Sequence, residues 1–547
     1  MKEIGKHSRE KMEGTTMKKK LLAVLTLILA FSMVFAAACS KPAETAPADG
    51  GSSAPAADAP AASDTARDSL NIGVFLDTGT LDPLFMTGKG GYLSVQRTYS
   101  EPLWDYNLDT GERFWVLATA FDPVEGPDSD IHYTMKVREG VTFSNGNPLT
   151  ADDILFTIKL NAADSRAFLN VKVFDVEKTT VVDDYTLDVW YTAFDPSQEP
   201  GIVQMQIVDA ESYDQATYSD NPVGTGAYVV TDYVVNSHVT VEARDDYWGE
   251  APIIKKINFK CLGELSQRVN AVETGDVDYT LVTTADIDYI NSLGTAATEI
   301  SNVGSSLIAQ YNMRSNSPLA TKEAREAVSY CINRQAISDV AYNGYAALLE
   351  WGASASFIEM QDRYLNMSEL YTDSYNVEKA KELAETAGLA GKTLRIVTNG
   401  DANYITAAEV IQNGLEELGV KAEIVNYDQA SYFSFLMSDE DEYDIAINTP
   451  VAPSNLPADI FGNYPVFIPQ GWTGADHDKY IALGKETNAT ADLAARQDLV
   501  YDLLLQFNEH LLWYGLCEDP LVYAYSTELK GIVHTVSGLT LYQDMYF

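Results

Sequence analysis

The chain has 547 residues and a formal net charge of −42, with 46% hydrophobic and 11% aromatic residues. So negative a surface repels nucleic acid and anionic lipid headgroups, which excludes nucleic-acid binding as a function class. The apolar share is ordinary for a packed soluble protein, and the acidity reads first as a solubility device.

Lys18, Lys19 and Lys20 precede an apolar run from Leu21 to Phe35, and Ala36, Ala37 and Ala38 follow it. A basic n-region, an apolar run of about 15 residues and a small-residue exit make a secretory signal peptide, residues 1–38, with Met17 as its natural start. The run is shorter than the roughly 20 apolar residues of a spanning helix. Its junction with Cys39 resembles the bacterial lipobox, in which the cysteine is lipidated and becomes the new N-terminus; Ala36 stands where that motif usually has Leu. Residues 39–69 then read as the lipidated cysteine and a disordered tether, because Ala, Pro, Ser, Gly and Asp have almost nothing to bury against their ordering entropy. The expected location is extracytoplasmic, anchored to the cell membrane through Cys39. The alternative is a soluble secreted protein cleaved near Ala38.

The remaining body is long enough for two or three domains. Leu70 to Leu76 reads as a strand, Tyr92 to Leu103 as a helix, and "WDYNLDTGE" as a hairpin-like turn. "IHYTMKVREG" alternates as a strand. Thr150 caps a helix over "ADDILFTIKLNAA", with Asp152 and Asp153 in its first turn. "TTVVDDYTLDVWYT" predicts two strands around an Asp-Asp turn, and "AYVVTDYVVNSHVTVEA" another pair. "LSQRVNAVET" is a helix stopped by Gly275 and followed by a strand. "TKEAREAVSYCINRQAISDVAY" predicts two amphipathic helices. Helix then alternates with strand through "NVEKAKELAETAGLAGKTLRIV", "ITAAEVIQNGLEELGVKAEIV" and "YDIAIN", which argues α/β.

Reactive constellations are sparse. No GxSxG, HExxH, GxxxxGK[ST] or complete GxGxxG occurs. The six histidines are scattered, with no pair at helical zinc spacing. "SDEDEYD" (Ser438 to Asp444) lacks a calcium-loop glycine and reads as a solvated turn. Cys261, Cys331 and Cys517 read as buried free thiols, with one disulfide left open. No cofactor and no metal are expected. An exported multi-domain body without a reactive cluster reads as a binder, because domain interfaces are natural clefts.

Several stretches carry a resemblance. "YTMKVREGVTFSNGNPLTADDILFT", "NPVGTGAYVVTDYVVNSHVTVEARDDYWG", "RVNAVETGDVD" and "REAVSYCINRQAI" occur in the order of the blocks of the family-5 solute-binding proteins of bacterial ABC importers, the oligopeptide, dipeptide and nickel group. The chain is similar to that family from about Leu70 to its end. Ala227 replaces a usual Pro, and Arg244 and Asp246 lie where an Asn is usual. The family implies an α/β, type II (class C) periplasmic-binding-protein-like fold: two main lobes, a small inserted domain, and hinge closure over an interlobe cleft. Domain I would take 70–105, 222–308 and 515–547, domain II 106–221, and domain III 309–514. Gly224 and Gly226 would supply backbone freedom where the chain crosses between lobes, and Gly146 would serve a turn. Tyr247 and Trp248 read as core.

The resemblance implies capture of a peptide or similar polar solute, delivery to ABC permease subunits, a monomer, and no catalysis. In peptide-binding relatives an Asp after the strand matching "YDIAIN" takes the ligand's ammonium. Here Pro453 stands near that place, with Asn455 and Asp459 beside it. No Arg follows "LRIVTNG" to take a carboxylate. A longer peptide held by its backbone, or an oligosaccharide, suits this better than a strict dipeptide. Expected ligand-facing residues are Lys89, Tyr92, Asn399, Asp401, Asn403, Tyr404, Asn448, Asn455 and Trp472, the last because a Trp in a Gly-rich loop is poorly explained by packing. A secreted glycan or peptide hydrolase is the competing reading.

Overall fold

The computed structural model describes residues 67–84, 91–107, 112–163, 171–301, 305–352, 369–372, 374–436, 443–449, 468–469, 471–535 and 539–547. The signal peptide, Cys39 and all but the last three residues of the expected tether lie outside that set, as do Lys89, Pro453, Asn455 and Asp459.

In chain order the body begins with β1 (Ser69–Val74) and α1 (Gly91–Tyr99). Next come β2 (Trp104–Tyr106), β3 (Arg113–Trp115), β4 (Ala118–Pro123), β5 (His132–Val137), α2 (Ala151–Ala163), β6 (Thr180–Asp183), β7 (Thr186–Trp190) and α3 (Glu199–Gln204). After them run β8 (Tyr228–Val234), β9 (His238–Ala243), β10 (Lys256–Cys261), α4 (Leu265–Thr274), β11 (Tyr279–Val282), α5 (Ile287–Ser292) and β12 (Ala296–Ser301). The following stretch holds β13 (Ser306–Tyr311), α6 (Lys322–Cys331), α7 (Arg334–Ala341), α8 (Glu369–Thr372), α9 (Val377–Ala387), β14 (Thr393–Thr398), α10 (Ala402–Glu417), β15 (Lys421–Asn426), α11 (Gln429–Leu436) and β16 (Ile445–Asn448). The last elements are α12 (Ala475–Ala489), α13 (Leu493–His510), β17 (Trp513–Glu518) and β18 (Leu521–Ser526).

Three larger sheets and the antiparallel β2-β3 pair organise these elements among the described residues. A seven-stranded sheet has the order β12-β18-β11-β1-β10-β9-β8, a five-stranded sheet the order β15-β14-β16-β13-β17, and a four-stranded sheet the order β4-β5-β7-β6. Strand alternation explains how the five-stranded sheet is covered on both faces. Leu307, Ala309 and Tyr311 join a core with α6, α7 and α10, while Ile308, Val397 and Ala446 join a second core with α13. The seven-stranded sheet divides the same way, Leu70 and Ile72 facing one core and Val522 and Ala524 the other. The four-stranded sheet and α2 enclose a separate core around Met135, Ile154, Leu187 and Val189.

Local chemistry accounts for most element ends. Gly275 and Gly388 stop α4 and α9 in the left-handed conformation, at φ 74° and 67°. The helix α1 ends at Tyr99 rather than Leu103. Pro102 lacks an N–H and disfavours helical backbone at Glu101, so the ladder closes with Ser100 N–H donating to Gln96 O at 2.9 Å. At the start of α2 the capping role is reversed: the Asp153 carboxylate accepts from both the N–H and the hydroxyl of Thr150, at 2.8 and 3.0 Å. Gly146 takes its turn at φ 90°.

Gly224 and Gly226 are explained differently from the expectation. Neither has a positive φ. A Cβ on Gly224 would lie 2.0 Å from Tyr99 O, and one on Gly226 2.5 Å from Thr98 O. They are glycines because the chain passes directly against the last turn of α1, and Gly226 N–H donates to Tyr99 O at 3.1 Å. Among the described residues the cysteines are free, Cys331 and Cys517 buried and Cys261 half-buried. No helix there is long and apolar enough to cross a membrane.

Candidate functional site

Strand directions place the ends of two sheets together. β1, β10 and β11 run parallel, and β18 runs antiparallel to both β11 and β12. The C-terminal ends of β1, β11 and β12 and the start of β18 therefore share one edge. In the five-stranded sheet β14, β15 and β16 are parallel and β13 is antiparallel to β16 and β17. That puts the ends of β14, β16 and β17 and the start of β13 along one edge. Two short links join these edges, from Ser301 to Ser306 and from Glu518 to Leu521. The expected domain joints at 308/309 and 514/515 fall inside β13 and β17.

The linked edge of the five-stranded sheet carries a polar corner. Tyr404, in the first turn of α10, hydrogen-bonds the hydroxyl of Thr449, which follows β16. It also donates to Asp519 Oδ2 at 3.2 Å. Tyr342, just after α7, donates to Asp519 Oδ1 at 2.9 Å. Asp519 N–H donates to Ser305 O at 3.0 Å, tying one link to the other. Asn448 ends β16 and donates to Gln310 Oε1 at 3.2 Å, while its own oxygen accepts Thr449 N–H at 2.9 Å. Burial pushes the Asp519 carboxyl up, the Asp401 charge pushes it further, and the two tyrosine hydroxyls pull it back. The hydroxyls of Tyr342 and Tyr404 are raised far above the ordinary phenol range, by burial first and then by Asp519.

The loop after β14 is a compact turn. Asn399 Nδ2 donates to Asp401 Oδ2 at 2.9 Å and Asp401 N–H donates back to Asn399 Oδ1 at 3.0 Å. Gly400 takes φ 86°, and a Cβ there would meet Tyr427 O at 2.8 Å. Asp401 is exposed and Asn403 half-buried. On the seven-stranded side, the segment after β1 holds Asp82, 3% exposed, which accepts from Tyr213 Oη at 2.8 Å and Leu84 N–H at 3.0 Å. Beyond the links the two sides also meet where Tyr345 Oη donates to Asp288 Oδ1 at 2.8 Å. The Arg496 guanidinium of α13 lies 5.5 Å from the Phe194 ring, which extends from the four-stranded unit.

Of the nine residues expected from sequence, Tyr404 and Asn448 are brought together through Thr449, and Asn399 and Asp401 share one turn beside Tyr404. Tyr92 lies within α1; Lys89 and Asn455 are outside the described residues. Trp472 stands apart from this corner. It is 8% exposed, with its ring 5.2 Å from that of Tyr480 and 5.1 Å from that of His510. Packing under α12 and α13 therefore accounts for it, contrary to the reasoning that singled it out. Sequence reading missed Tyr342, Thr449 and Asp519. The available signal was "WYGLCEDPLVYAYS", an otherwise apolar double strand broken by one acidic pair and a proline.

Nothing in this corner resembles a nucleophile with its base. Burial pushes the Cys331 thiol up to about 12 and raises Cys517 and Cys261 as well. Among the described residues no three His, Cys, Asp or Glu side chains gather as a metal site.

The family model for "Bacterial extracellular solute-binding proteins, family 5 Middle" matches residues 120–470, more than half of the chain. The chain belongs to this family. As a family-5 solute-binding protein it is similar to the nickel-binding periplasmic protein of Escherichia coli K12, 25% identical over 398 residues, 68% of this chain and 73% of that one. It is also similar to the glutathione-binding protein GsiB of Shigella dysenteriae, 22% identical over 435 residues, 74% and 81% of the two chains. The solved structure of the ABC transporter substrate-binding protein CtaP from Listeria monocytogenes superposes with a TM-score of 0.77 at 22% identity, covering 88% of this chain and all of that one. The fold is accordingly the two-lobed α/β periplasmic-binding-protein type. This family-5 protein is an extracytoplasmic solute-binding component of an ABC importer; it delivers its ligand to a membrane permease and is not an enzyme.

Proposed function

We propose that the ligand is a short peptide or a similarly polar solute, held where the Asn399–Asp401 turn, Asn403, Tyr404, Asn448 and Thr449 meet the linked edges of the two sheets. One observation carries this reading: strand-end amides and hydroxyls converge beside the two chain links about which the halves would close. Relatives named for a nickel, a glutathione and a di/tripeptide ligand show how far cargo varies within this similarity. The corner sets amides and hydroxyls beside the Asp401 and Asp519 carboxylates, so a peptide backbone can be met donor to acceptor. The same groups suit a neutral oligosaccharide, the second reading. The three-part division into domains I, II and III, centred on the seven-, four- and five-stranded sheets, belongs to this proposal. So does a monomeric state.

Calorimetry against pools of tri- to pentapeptides is expected to show binding. Asn448→Ala should weaken it about tenfold, the loss of one net hydrogen bond. Binding confined to oligosaccharides would replace the first reading with the second, and binding indifferent to Asn448 would move the ligand away from this corner.

The run of small residues into Cys39 supports a lipid anchor. Two or more acyl chains hold a protein stably where one does not. Metabolic labelling with an alkyne fatty acid is expected to mark the expressed chain and to leave Cys39→Ser unmarked. Labelling that persists in Cys39→Ser would overturn the assignment.

A further inference from the structure

Asp519 occupies an unusual place. It lies in a two-residue link, Asp519–Pro520, between the five-stranded and the seven-stranded sheets. Its N–H holds the other link through Ser305 O at 3.0 Å, and the preceding Glu518 N–H holds Ala347 O at 2.8 Å. Its carboxylate is gripped by groups of the five-stranded side, Tyr342 at 2.9 Å, Tyr404 at 3.2 Å and the Thr449 hydroxyl. Pro520 fixes its own φ and offers no N–H. One residue thus binds both links to each other and fastens them to a single lobe. Tyr404, one of its two grips, is also the hydroxyl that pairs with Thr449 at the end of β16.

We propose that Asp519 is a positioning residue that couples the polar corner to the hinge: Tyr404 is shared between Thr449 and the hinge carboxylate, so a solute that engages this corner alters the hold on both links. The physical basis is a shared set of hydrogen bonds. Tyr404 donates to Asp519, and the Thr449 hydroxyl bonds both the phenol oxygen and the Asp519 carboxylate. A solute that takes the Thr449 hydroxyl removes one member of that set and so changes the hold on the links. Asp401, the other charge facing Asp519, sits on the same turn as the expected ligand contacts, so neutralising it strengthens the effect. Tyr342 is the fixed grip, because it pairs with Asp519 and lies 1% exposed. The coupling rests on the proposed ligand corner, but its wiring is read without any ligand.

Hydrogen exchange on the ligand-free mature chain tests the wiring. Tyr404→Phe and Asp519→Asn are each expected to speed exchange of the Asp519 amide on the order of tenfold, while β13 to β17 keep their protection. The double variant is expected to match the larger single effect, because both changes break one contact. Tyr342→Phe should speed the same amide and leave Thr449 unaffected. Unchanged exchange in Tyr404→Phe, additive effects in the double variant, or a rise spread through the whole five-stranded sheet would each overturn the proposal. If the wiring appears and no peptide or glycan binds, the ligand reading alone fails. If a peptide binds and the hinge amide ignores Tyr404, the coupling alone fails.

Discussion

Replacing Arg325 by methionine is expected to destabilise the five-stranded lobe by about 3–5 kcal/mol, the scale set by stripping a buried charged donor from several acceptors. Arg325 sits on α6 at 2% exposure and forms no ion pair with a carboxylate among the described residues. Its guanidinium instead serves backbone oxygens: Leu319 and Ala320 at 2.9 Å, His510 at 2.6 Å and Leu511 at 3.2 Å. The last two end α13, and Leu511 is held in the left-handed region at φ 46°, a conformation that a branched side chain resists. Burial lowers this guanidinium to about 10, which leaves it charged at neutral pH. Methionine fills similar volume but donates nothing, so four interior carbonyls lose their partner and the strained cap loses its clamp. Lysine has one nitrogen and no fork, and should recover less than half of the loss. Urea unfolding read by circular dichroism checks this; a loss below about 1 kcal/mol would show that water or a backbone shift serves those carbonyls. Arg244 also serves backbone oxygens, with Nη1 on Thr142 O at 3.2 Å and Nη2 on Phe143 O at 3.1 Å, but its Nε pairs with Asp246 Oδ1 at 3.0 Å.

The sequence announced its regular elements because each carried its own local signal. Gly275 ended its helix where it was expected to, and the alternating runs around β5, β7, β8 and β9 formed strands. The corner was legible only in part. Tyr404 and Asn448 follow parallel strands, whose C-terminal ends gather by topology, so position alone suggested them. Asp519 was not legible, because its role comes from lying between two strands that belong to different sheets. No local pattern encodes that. The packing of Trp472 was not legible for the converse reason: its glycine neighbours describe a turn, whereas its partners Tyr480 and His510 come from helices downstream. Gly224 and Gly226 were recognised as special but for the wrong physics, since a close backbone approach leaves the same letter in the sequence as a positive φ.

The melting temperature is expected to rise as pH falls from 7 to 5, opposite to proteins whose native carboxylates are stabilised as ions. The reason is a set of buried acids that the fold holds above their ordinary range. Asp105 is 1% exposed and meets Arg97 at only 3.3 Å, through one nitrogen. Burial outweighs that attraction and lifts Asp105 to about 6. Burial likewise raises Asp82, Glu101, Asp153, Asp444, Asp519 and Asp544. A carboxyl raised in the fold contributes stability that is complete below its unfolded value near 4 and is lost as pH climbs through its folded value. For Asp105 that window runs from about 4 to about 6, and two units correspond to at most ~3 kcal/mol. Protonation also relieves self-repulsion in a chain of net charge −42. Other groups contribute with the opposite sign. The His510 imidazole is lowered by burial, so its share is present at neutral pH and fades as pH falls through the ordinary imidazole range. Asp183, lowered by the Tyr185 N–H, and Asp246, lowered by Arg244, lose theirs only below about 4, where carboxylates ordinarily protonate. Thermal melts from pH 4 to 8 at fixed ionic strength decide the sign. Asp105→Asn should flatten the rise between pH 5 and 7, because an amide keeps the shape and has no proton to release. A melting temperature that climbs from pH 5 to 7, or a slope untouched by Asp105→Asn, would place the pH dependence elsewhere.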